Sequence, residues 1–575
     1  MIAIRYHDST KHHFNRFAPS LGYLDWATQP DPFRRYDGAV VRELPRASPA
    51  ATVPYAALFD PPSHQFGEAG GVVPQAIDDG SIGEFLRCSM GLSAWKQYGQ
   101  SRWALRVNPS SGNLHPTEAW IVHDGRVWHY APREHALEER CVFDSRTSKI
   151  RAADDILDVE GRGPSGSADY FLVALTSITW REAWKYGERA FRYCQHDTGH
   201  AIGALRFAAA MLGWRMQLLP LWSDTQISAL LGLDRDADYE GAEREEPECI
   251  ALVSTRAGFG TRDSGFDPDP DVLVEAARRA TWRGRANRLS SDHVQWPLID
   301  EVTQATRYPG IRGPGSGIKS EGIVDSGTAN VETRTSGSRI PDPGSLQSSA
   351  RDVILQRRSA LAFNPRGVLQ RDAFFSMLNR LQTFAPPWDV IDWSPHVHLV
   401  LFVHRVQDIT PGIYAYLRDV NVLGEWKSAM RGEFLWEPVK PTNQNPRTDE
   451  PTNLFLLVPI DAARIANRLS CDQEIAEDGF FSLSMLARFE EPLRARGEWF
   501  YRRLFWECGL IGQVLYLEAE AAGARATGIG CYYDEPVHEL LGLSGHGWQS
   551  LYHFSMGLPV EDSRLTSQPG YEWET

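Results

Sequence analysis

Cysteine is scarce and unpatterned. Seven occur in 575 residues, at positions 88, 141, 194, 249, 471, 508 and 531, an odd number with no Cys-x-x-Cys pair. That spacing excludes a disulfide framework and a zinc site of standard form, and it points to reduced thiols in a cytoplasmic protein. An excess of basic charge is missing too. Fifty-nine Lys and Arg face 74 Asp and Glu, a net charge of −15, the wrong balance for a general nucleic-acid binder. No apolar run of about 18 residues occurs, so no membrane-spanning helix is expected. The opening Met1-Ile-Ala-Ile-Arg-Tyr-His-Asp8 lacks the long apolar stretch of a secretory signal. No Gly-x-Gly-x-x-Gly nucleotide fingerprint is present.

What the chain does have begins with length enough for two to four domains. Arg106-Val-Asn-Pro-Ser-Ser-Gly-Asn-Leu-His-Pro-Thr-Glu118 concentrates Pro109, Ser110, Ser111, Gly112 and Asn113 just before the apolar run Ala119-Trp-Ile-Val122. Small hydroxyls, an amide and bare backbone N–H groups at one chain reversal fit a turn and cap before a strand. They equally fit a loop that wraps the polar rim of a flat heterocycle or an anion. Residues 1–75, rich in Pro, Arg and aromatics, read as an extended arm with little regular structure. The pattern predicts a helix over 81–98 and a hairpin around Asp124-Gly125. It further predicts a buried strand from Phe171 to Thr179 and a long helix from about Tyr186 to Leu212, closed by Gly213.

That helix recurs. Shifting by 310 positions lays Gly187–Leu233 on Gly497–Leu543 without a gap. Arg192 falls on Arg502, Gly199 on Gly509, Asp224 on Asp534, and Leu230-Leu-Gly-Leu233 on Leu540-Leu-Gly-Leu543. This is a duplicated domain. The strand preceding the helix is expected to recur at Leu454–Ile460. Between the copies, positions 309–348 are rich in Gly, Ser, Thr, Pro and Asp and read as a flexible linker. The expected division is an arm at 1–75, a first domain at 76–262, a tail and linker at 263–348, and a second domain at 349–575.

Three features together resemble the nitroreductase superfamily of flavin enzymes. They are the Pro109–Asn113 loop leading into a strand, the stretch Val353-Ile-Leu-Gln-Arg-Arg-Ser-Ala-Leu-Ala-Phe363, and the helix–Gly–strand–Leu-Leu-Gly-Leu ending of both copies. Within that superfamily the chain is similar to the SagB/ThcOx-type dehydrogenases, which include azoline oxidases of peptide natural-product clusters. The resemblance covers both domains. It implies an α+β fold of two tandem nitroreductase-like domains forming an intrachain pseudo-dimer, with FMN held between them. A phosphate clamp is then expected from Arg357, Arg358, Ser359 and the C-terminal Arg564, because guanidinium groups bind phosphate oxygens in pairs. The backbone of Gly528-Ile529-Gly530 would pass near the flavin, and Pro109, Ser110, Ser111 and Asn113 would reach it from the first domain. Leu361 departs from the family, which often has a basic residue there. The first domain lacks a clear Arg-x-Ser (Arg34 and Arg35 are nearest) and has Leu218-Leu-Pro220 where the second has Gly-Ile-Gly. The second domain has Val390-Ile-Asp-Trp-Ser-Pro-His396 in place of the Ser-Ser-x-Asn loop. One composite site with a degenerate counterpart is therefore expected.

Azoline oxidases resemble this chain in a Lys-Tyr pair ahead of the long helix, here Lys185 and Tyr186. Removing a hydride from a C–C or C–N bond also requires removing a proton, which a buried Lys or an assisted Tyr can take. The second copy has Ala495 and Arg496 instead. A solvated helix-start charge and a packing ring are the other reading of the pair. His196 and His200, four apart on the helix beside Asp197, lack an apparent third metal ligand and are expected to pack or hydrogen-bond. His115 fits either a flavin neighbour or a structural histidine. Asp267-Pro-Asp-Pro-Asp271 is expected to be a solvated turn, not a calcium loop. The leading expectation is an FMN-dependent two-electron oxidation of a heterocycle or related group on a peptide or small metabolite. An NAD(P)H-dependent nitro- or quinone reductase and a non-catalytic biosynthetic scaffold are the alternatives. No metal, nucleic-acid or membrane partner is expected.

Overall fold

The computed structural model describes residues 1–45, 52–60, 72–143, 170–255, 268–310, 348–383, 386–441 and 453–574. Its centre is the crossing of two helices of 22 residues, Ala190–Met211 and Phe500–Ala521. They meet at the glycines that the 310-residue shift superimposes. A methyl group on Gly199 would lie 2.3 Å from the Trp506 carbonyl oxygen, and one on Gly509 would lie 2.3 Å from that of His196. Only glycine lets the two backbones approach so closely. Both helices are buried along almost their whole length, and one apolar core runs through their contact, with Ala201, Ile202 and Leu205 beside Leu510, Ile511 and Val514. Full burial of a Leu or Ile side chain there stabilises the fold by about 1.5–3 kcal/mol.

Each helix packs on its own antiparallel sheet, and the two sheets have matching strand order. In the first, the order is Thr281–Trp282, Ala136–Val142, Arg126–Ala131, Thr117–His123, Tyr170–Ser177, Glu246–Ser254, Arg215–Leu218, with Val40–Glu43 added on Ala136–Val142. In the second it is Glu437–Pro438, Leu454–Pro459, Gly412–Tyr416, Val397–Val403, Phe481–Arg488, Trp548–Gly557, Arg525–Ile529. The predicted hairpin is present. Asp124 and Gly125 both have positive φ (50° and 65°), as a two-residue turn between right-twisted strands requires. A smaller apolar cluster fills the outer side of each sheet.

The contact between the domains is reciprocal. Arg192 pairs with Asp534 at 2.8 Å, and its counterpart Arg502 pairs with Asp224 at 2.9 Å. A residue pair repeated with its partners exchanged is the signature of a two-fold interface, here within one chain. The termini also cross over. Ala3 N–H donates to Glu498 at 2.6 Å, and strand Thr566–Pro569 pairs with Leu92–Tyr98 of the first domain.

Three local expectations are corrected. The arm expected at 1–75 has little regular structure over residues 1–45, yet it is packed, not extended: Ile2–Ser9 is a helix whose Tyr6 and His7 are buried against the second domain. Its aromatics suit tertiary burial, which composition alone does not show. The helix predicted over 81–98 spans only Asp79–Arg87, and Leu92–Tyr98 is a strand paired with Ser101–Arg106. The chain turns at Gly91, where a side chain would collide with the Arg87 carbonyl oxygen at 2.8 Å. The strand that recurs before the long helix is Phe481–Arg488, not Leu454–Pro459, which instead matches Ala136–Val142 in the sheet order. Both are apolar, so hydropathy does not distinguish them. The linker expected at 309–348 lies almost wholly outside the described residues. Among the described residues no helix is long and apolar enough to cross a membrane.

Candidate functional site

The Pro109–Asn113 segment forms a tight 3-10 turn at Ser111–Asn113, with positive φ at Gly112 (59°), Asn113 (60°) and His115 (51°). Its side chains hold its own shape. Ser110 Oγ accepts from His115 N–H at 2.8 Å, and Asn113 donates to the Ala104 carbonyl at 2.8 Å while its amide oxygen meets His115 Nε2 at 2.9 Å. Ser111 donates both its N–H (3.0 Å) and its hydroxyl (3.1 Å) to the Asp197 carboxylate on the long helix. His115 is buried, and that burial keeps it in the neutral form. The exposed edge of the turn is Gly112.

Facing that edge is the end of helix Thr179–Tyr186. A methyl group on Gly112 would meet Tyr186 Oη at 2.5 Å and Lys185 Nζ at 3.2 Å. Lys185 and Tyr186 therefore stand directly over the loop, both half-buried. Beneath them lie two carboxyl groups. Burial, then the charge of Asp197, pushes Glu182 well above the ordinary glutamate range, against the opposing charge of Lys185. Burial raises Asp197 to about 7 against the hydrogen bonds from Ser110 and Ser111. Among the described residues no cation pairs with either. Burial, then Glu182 and Tyr193, keeps the Tyr186 phenol protonated. The Tyr186 and Tyr193 rings lie 4.5 Å apart, and Tyr193 covers Gly530 of the second domain, where a methyl would sit 2.3 Å from its ring.

Gly530 leads into the other half. Gly528 N–H donates to Tyr516 Oη at 2.9 Å, and the same phenol lies 2.9 Å from Ser359 Oγ. A side chain on Gly528 would strike the Tyr552 hydroxyl, while Ile529 points into the second domain's outer core. Arg357 is buried over the Tyr516 ring and donates to the carbonyls of Arg106 (3.1 Å) and Val107 (3.0 Å), which leads back to Pro109. Arg358 donates only to carbonyls, those of Leu355, Arg357 and Ser93. Burial, then the charge of Arg357, holds Arg358 down at about 9, and burial likewise lowers Arg357. Among the described residues neither has a carboxylate within ion-pair distance. Glu520 offsets their charge only from beyond ion-pair distance, so a buried and a half-buried guanidinium stand side by side in a place that a bound anion would stabilise.

The candidate residues thus form a closed ring: Lys185, Tyr186, Tyr193, Gly530, Gly528, Tyr516, Ser359, Arg357, Val107 and the 109–113 loop. Arg564 is not in it. Its exposed side chain pairs with Asp562 at 2.7 Å and lies over Tyr98, at the far end of a surface hairpin. Arg34 and Arg35 are held within the first domain by Glu245, Glu134 and Glu138. His196 Nε2 meets the Leu551 carbonyl at 3.0 Å and His200 Nε2 meets Tyr552 Oη at 3.2 Å, so both serve the domain contact. Asp269 caps helix Pro270–Arg279, while Asp267 lies outside the described residues. At the symmetry-related position, a cavity of only about 20 Å³ remains among Leu218, Pro220, Tyr308, Asp392, Arg503 and Trp506. That volume holds roughly one water molecule, not a flavin. The carboxyl pair Glu182–Asp197 was not singled out in the sequence. A signal existed for Asp197, because the 310-residue shift places Glu507 on it.

Comparison with known proteins gives the lineage. A structure of a candidate nitroreductase from Anabaena variabilis superposes with a TM-score of 0.62 at 19% identity, over 97% of this chain and 99% of that one. The Escherichia coli microcin synthetase McbBCD complex matches 30% of this chain and 62% of its own (17% identity, TM-score 0.22). An FMN- and NADPH-dependent nitroreductase from a Sphigopyxis strain matches 37% and 88% (18% identity, TM-score 0.19). No curated protein gives a significant match. The Nitroreductase family model matches residues 74–242 and 416–558, one stretch in each sheet-and-helix unit. Those two stretches make up more than half of the chain, which therefore belongs to the nitroreductase family.

Proposed function

We propose that the protein is an FMN-dependent dehydrogenase of the SagB/ThcOx kind, with one flavin site per chain built from both domains, residues 76–262 and 349–575. The observation that carries this reading is the buried Arg357 guanidinium with the half-buried Arg358 beside it at the domain contact, neither in an ion pair among the described residues, across the ring from Lys185 and Tyr186. A flavin phosphate is a dianion, and its charge would balance theirs. Ser359, exposed beside them, adds a hydroxyl donor, and the Gly528–Gly530 backbone runs along the same wall. Arg564 is left out of the clamp.

FMN, when bound there, supplies a two-electron hydride acceptor. The residues of the chain then manage the proton. Lys185 and Tyr186 hold exchangeable protons at Nζ and Oη over Gly112, at the open edge of the ring. Asp197, with a carboxyl near 7, is a base poised close to neutral pH and within electrostatic reach of Tyr186. A substrate ring losing a hydride and a proton becomes one double bond richer, and a heterocycle on a peptide or small metabolite fits that chemistry. Seven free thiols favour a cytoplasmic setting.

The test is the flavin content of the purified chain, beside that of Arg357→Met. One FMN per wild-type chain and at least a tenfold loss of affinity in the variant are expected. Two FMN per chain contradicts the composite site, and a colourless chain that cannot be reconstituted contradicts flavin dependence and leaves the scaffold reading. Rapid NAD(P)H consumption with a nitroaromatic, undiminished in Lys185→Ala, would instead make the protein a reductase.

A further inference from the structure

Cys471 and Cys531 stand apart from the other five cysteines. Cys88, Cys141, Cys194, Cys249 and Cys508 are buried, whereas these two are partly exposed. They come from segments 60 residues apart, Cys471 after helix Ala463–Leu469 and Cys531 directly after Gly530, yet their sulfurs are 2.8 Å apart. Cys471 and the following Asp472 both have φ of 56°, a left-handed conformation unusual for residues other than glycine, which turns the chain at this point. Gln473 Nε2 donates to the carbonyls of Ser470 (2.7 Å) and Cys531 (3.0 Å), tying the two segments together. His12, from the crossing N-terminal segment, places Nδ1 3.8 Å from Cys531 Sγ.

We infer that Cys471 and Cys531 form a reversible dithiol–disulfide site that reacts with small disulfides of the glutathione class. A separation of 2.8 Å is too short for two sulfurs spanning a tetrahedral metal (about 3.8 Å for bonds of about 2.3 Å) and close enough for direct attack. The shared hydrogen bond with Cys471, then His12 and Arg189, lowers the Cys531 thiol below its ordinary value, which marks it as the attacking thiolate. Its sulfur attacks one sulfur of the small disulfide, forming a mixed disulfide and releasing one thiolate. Cys471, having lost its proton, then attacks Cys531 Sγ and expels the second thiolate. Two protein thiols are oxidised, one small disulfide is reduced to two thiols, and no other oxidant is required. The site stands on its own geometry, whether or not a flavin binds on the other side of Gly530.

The experiment equilibrates the full chain with oxidised and reduced glutathione at pH 7, blocks remaining thiols with N-ethylmaleimide, and maps peptides without reduction. A single cross-linked peptide joining Cys471 to Cys531 is expected, reversed by excess reduced glutathione, with the five buried cysteines alkylated only after unfolding. Cys471→Ser should trap the glutathione adduct on Cys531, and Cys531→Ser should abolish the cross-link. The inference is overturned if both cysteines remain thiols throughout. It is equally overturned if the purified chain retains one equivalent of zinc that protects both thiols and is lost in His12→Ala, which would make the cluster a metal site.

Discussion

Asp197 and Glu507 occupy the same position on the two long helices, and each holds the loop in front of its central strand. Asp197 accepts from Ser111 N–H, and Glu507 accepts from the N–H groups of His396 (3.2 Å) and Val397 (3.1 Å). Their surroundings differ. Glu507 is neutralised by the buried Arg418 and capped by the Trp393 indole at 3.3 Å, so its half is closed by a salt bridge and a large ring. Among the described residues Asp197 has no such cation, and the loop beside it presents exposed Gly112 under Lys185 and Tyr186. Both halves keep the device that positions the loop. What differs is whether the buried carboxyl is balanced by an ion pair, and the unbalanced half is the one in which we place the proposed chemistry. The ion pairs across the contact are unequal as well. Asp534 has two arginines, Arg189 at 3.0 Å and Arg192 at 2.8 Å, whereas among the described residues Asp224 makes its ion pair with Arg502 alone, the counterpart of Arg189 being Trp499. Burial accordingly wins at Asp224, whose carboxyl is raised, and loses at Asp534, whose carboxyl is held well below the usual range.

The asymmetry can be broken from its strongest point downward. Asp534→Ala leaves two buried arginines without their carboxylate and should cost about 3–5 kcal/mol, more than Asp224→Ala, in the chemical denaturation midpoint at constant slope. A smaller gap between the two variants would show that the halves contribute equally. Asp197→Asn should act in the opposite direction. The folded Asp197 carboxyl sits at about 7, above its unfolded value near 3.8, so its favourable contribution is complete below pH 4 and lost as pH rises to 7. The Asn variant escapes that loss, gaining up to about 4 kcal/mol over wild type by pH 7 and nothing at pH 4, as thermal melts across that range would reveal. Tyr186→Phe or Lys185→Ala should lower turnover on a dehydrogenation substrate about a hundredfold at unchanged flavin content, while Arg496→Ala in the other half should not. Gly509→Ala forces the helix crossing apart and should cost about 1–3 kcal/mol, read from the same denaturation curve. The smallest effect belongs to Arg564→Ala, which should leave both the denaturation midpoint and the bound flavin unchanged, since its charge is already met at the surface.

Much of the architecture was legible beforehand because it repeats. The shared glycines, arginines and aspartates at a 310-residue spacing announced two equivalent units, and the structure shows what those residues do at the crossing. The boundary at Gly91 and the recurring strand were misplaced because apolar spacing alone does not distinguish a helix end from a strand, nor one buried strand from another. The 109–113 loop stood out by its local composition, whereas the Lys185–Tyr186 pair was implied by the family resemblance. Glu182 escaped notice because a single carboxylate in a helix carries no pattern of its own.

The amino-acid sequence by itself determined the 310-residue repeat, the family resemblance, the Asp-Gly hairpin and the candidate residues on each half, since these depend on spacing and residue type along the chain. Only the tertiary structure decided which of them meet. It brought Arg357 and Arg358 to the first domain without an ion-pair partner among the described residues, sent Arg564 to the surface, and filled the symmetry-related position with Trp506 and Arg503. It also set two cysteines 60 residues apart at contact distance. Burial, charge balance and proximity are properties of the packed chain, and no local stretch of sequence contains them.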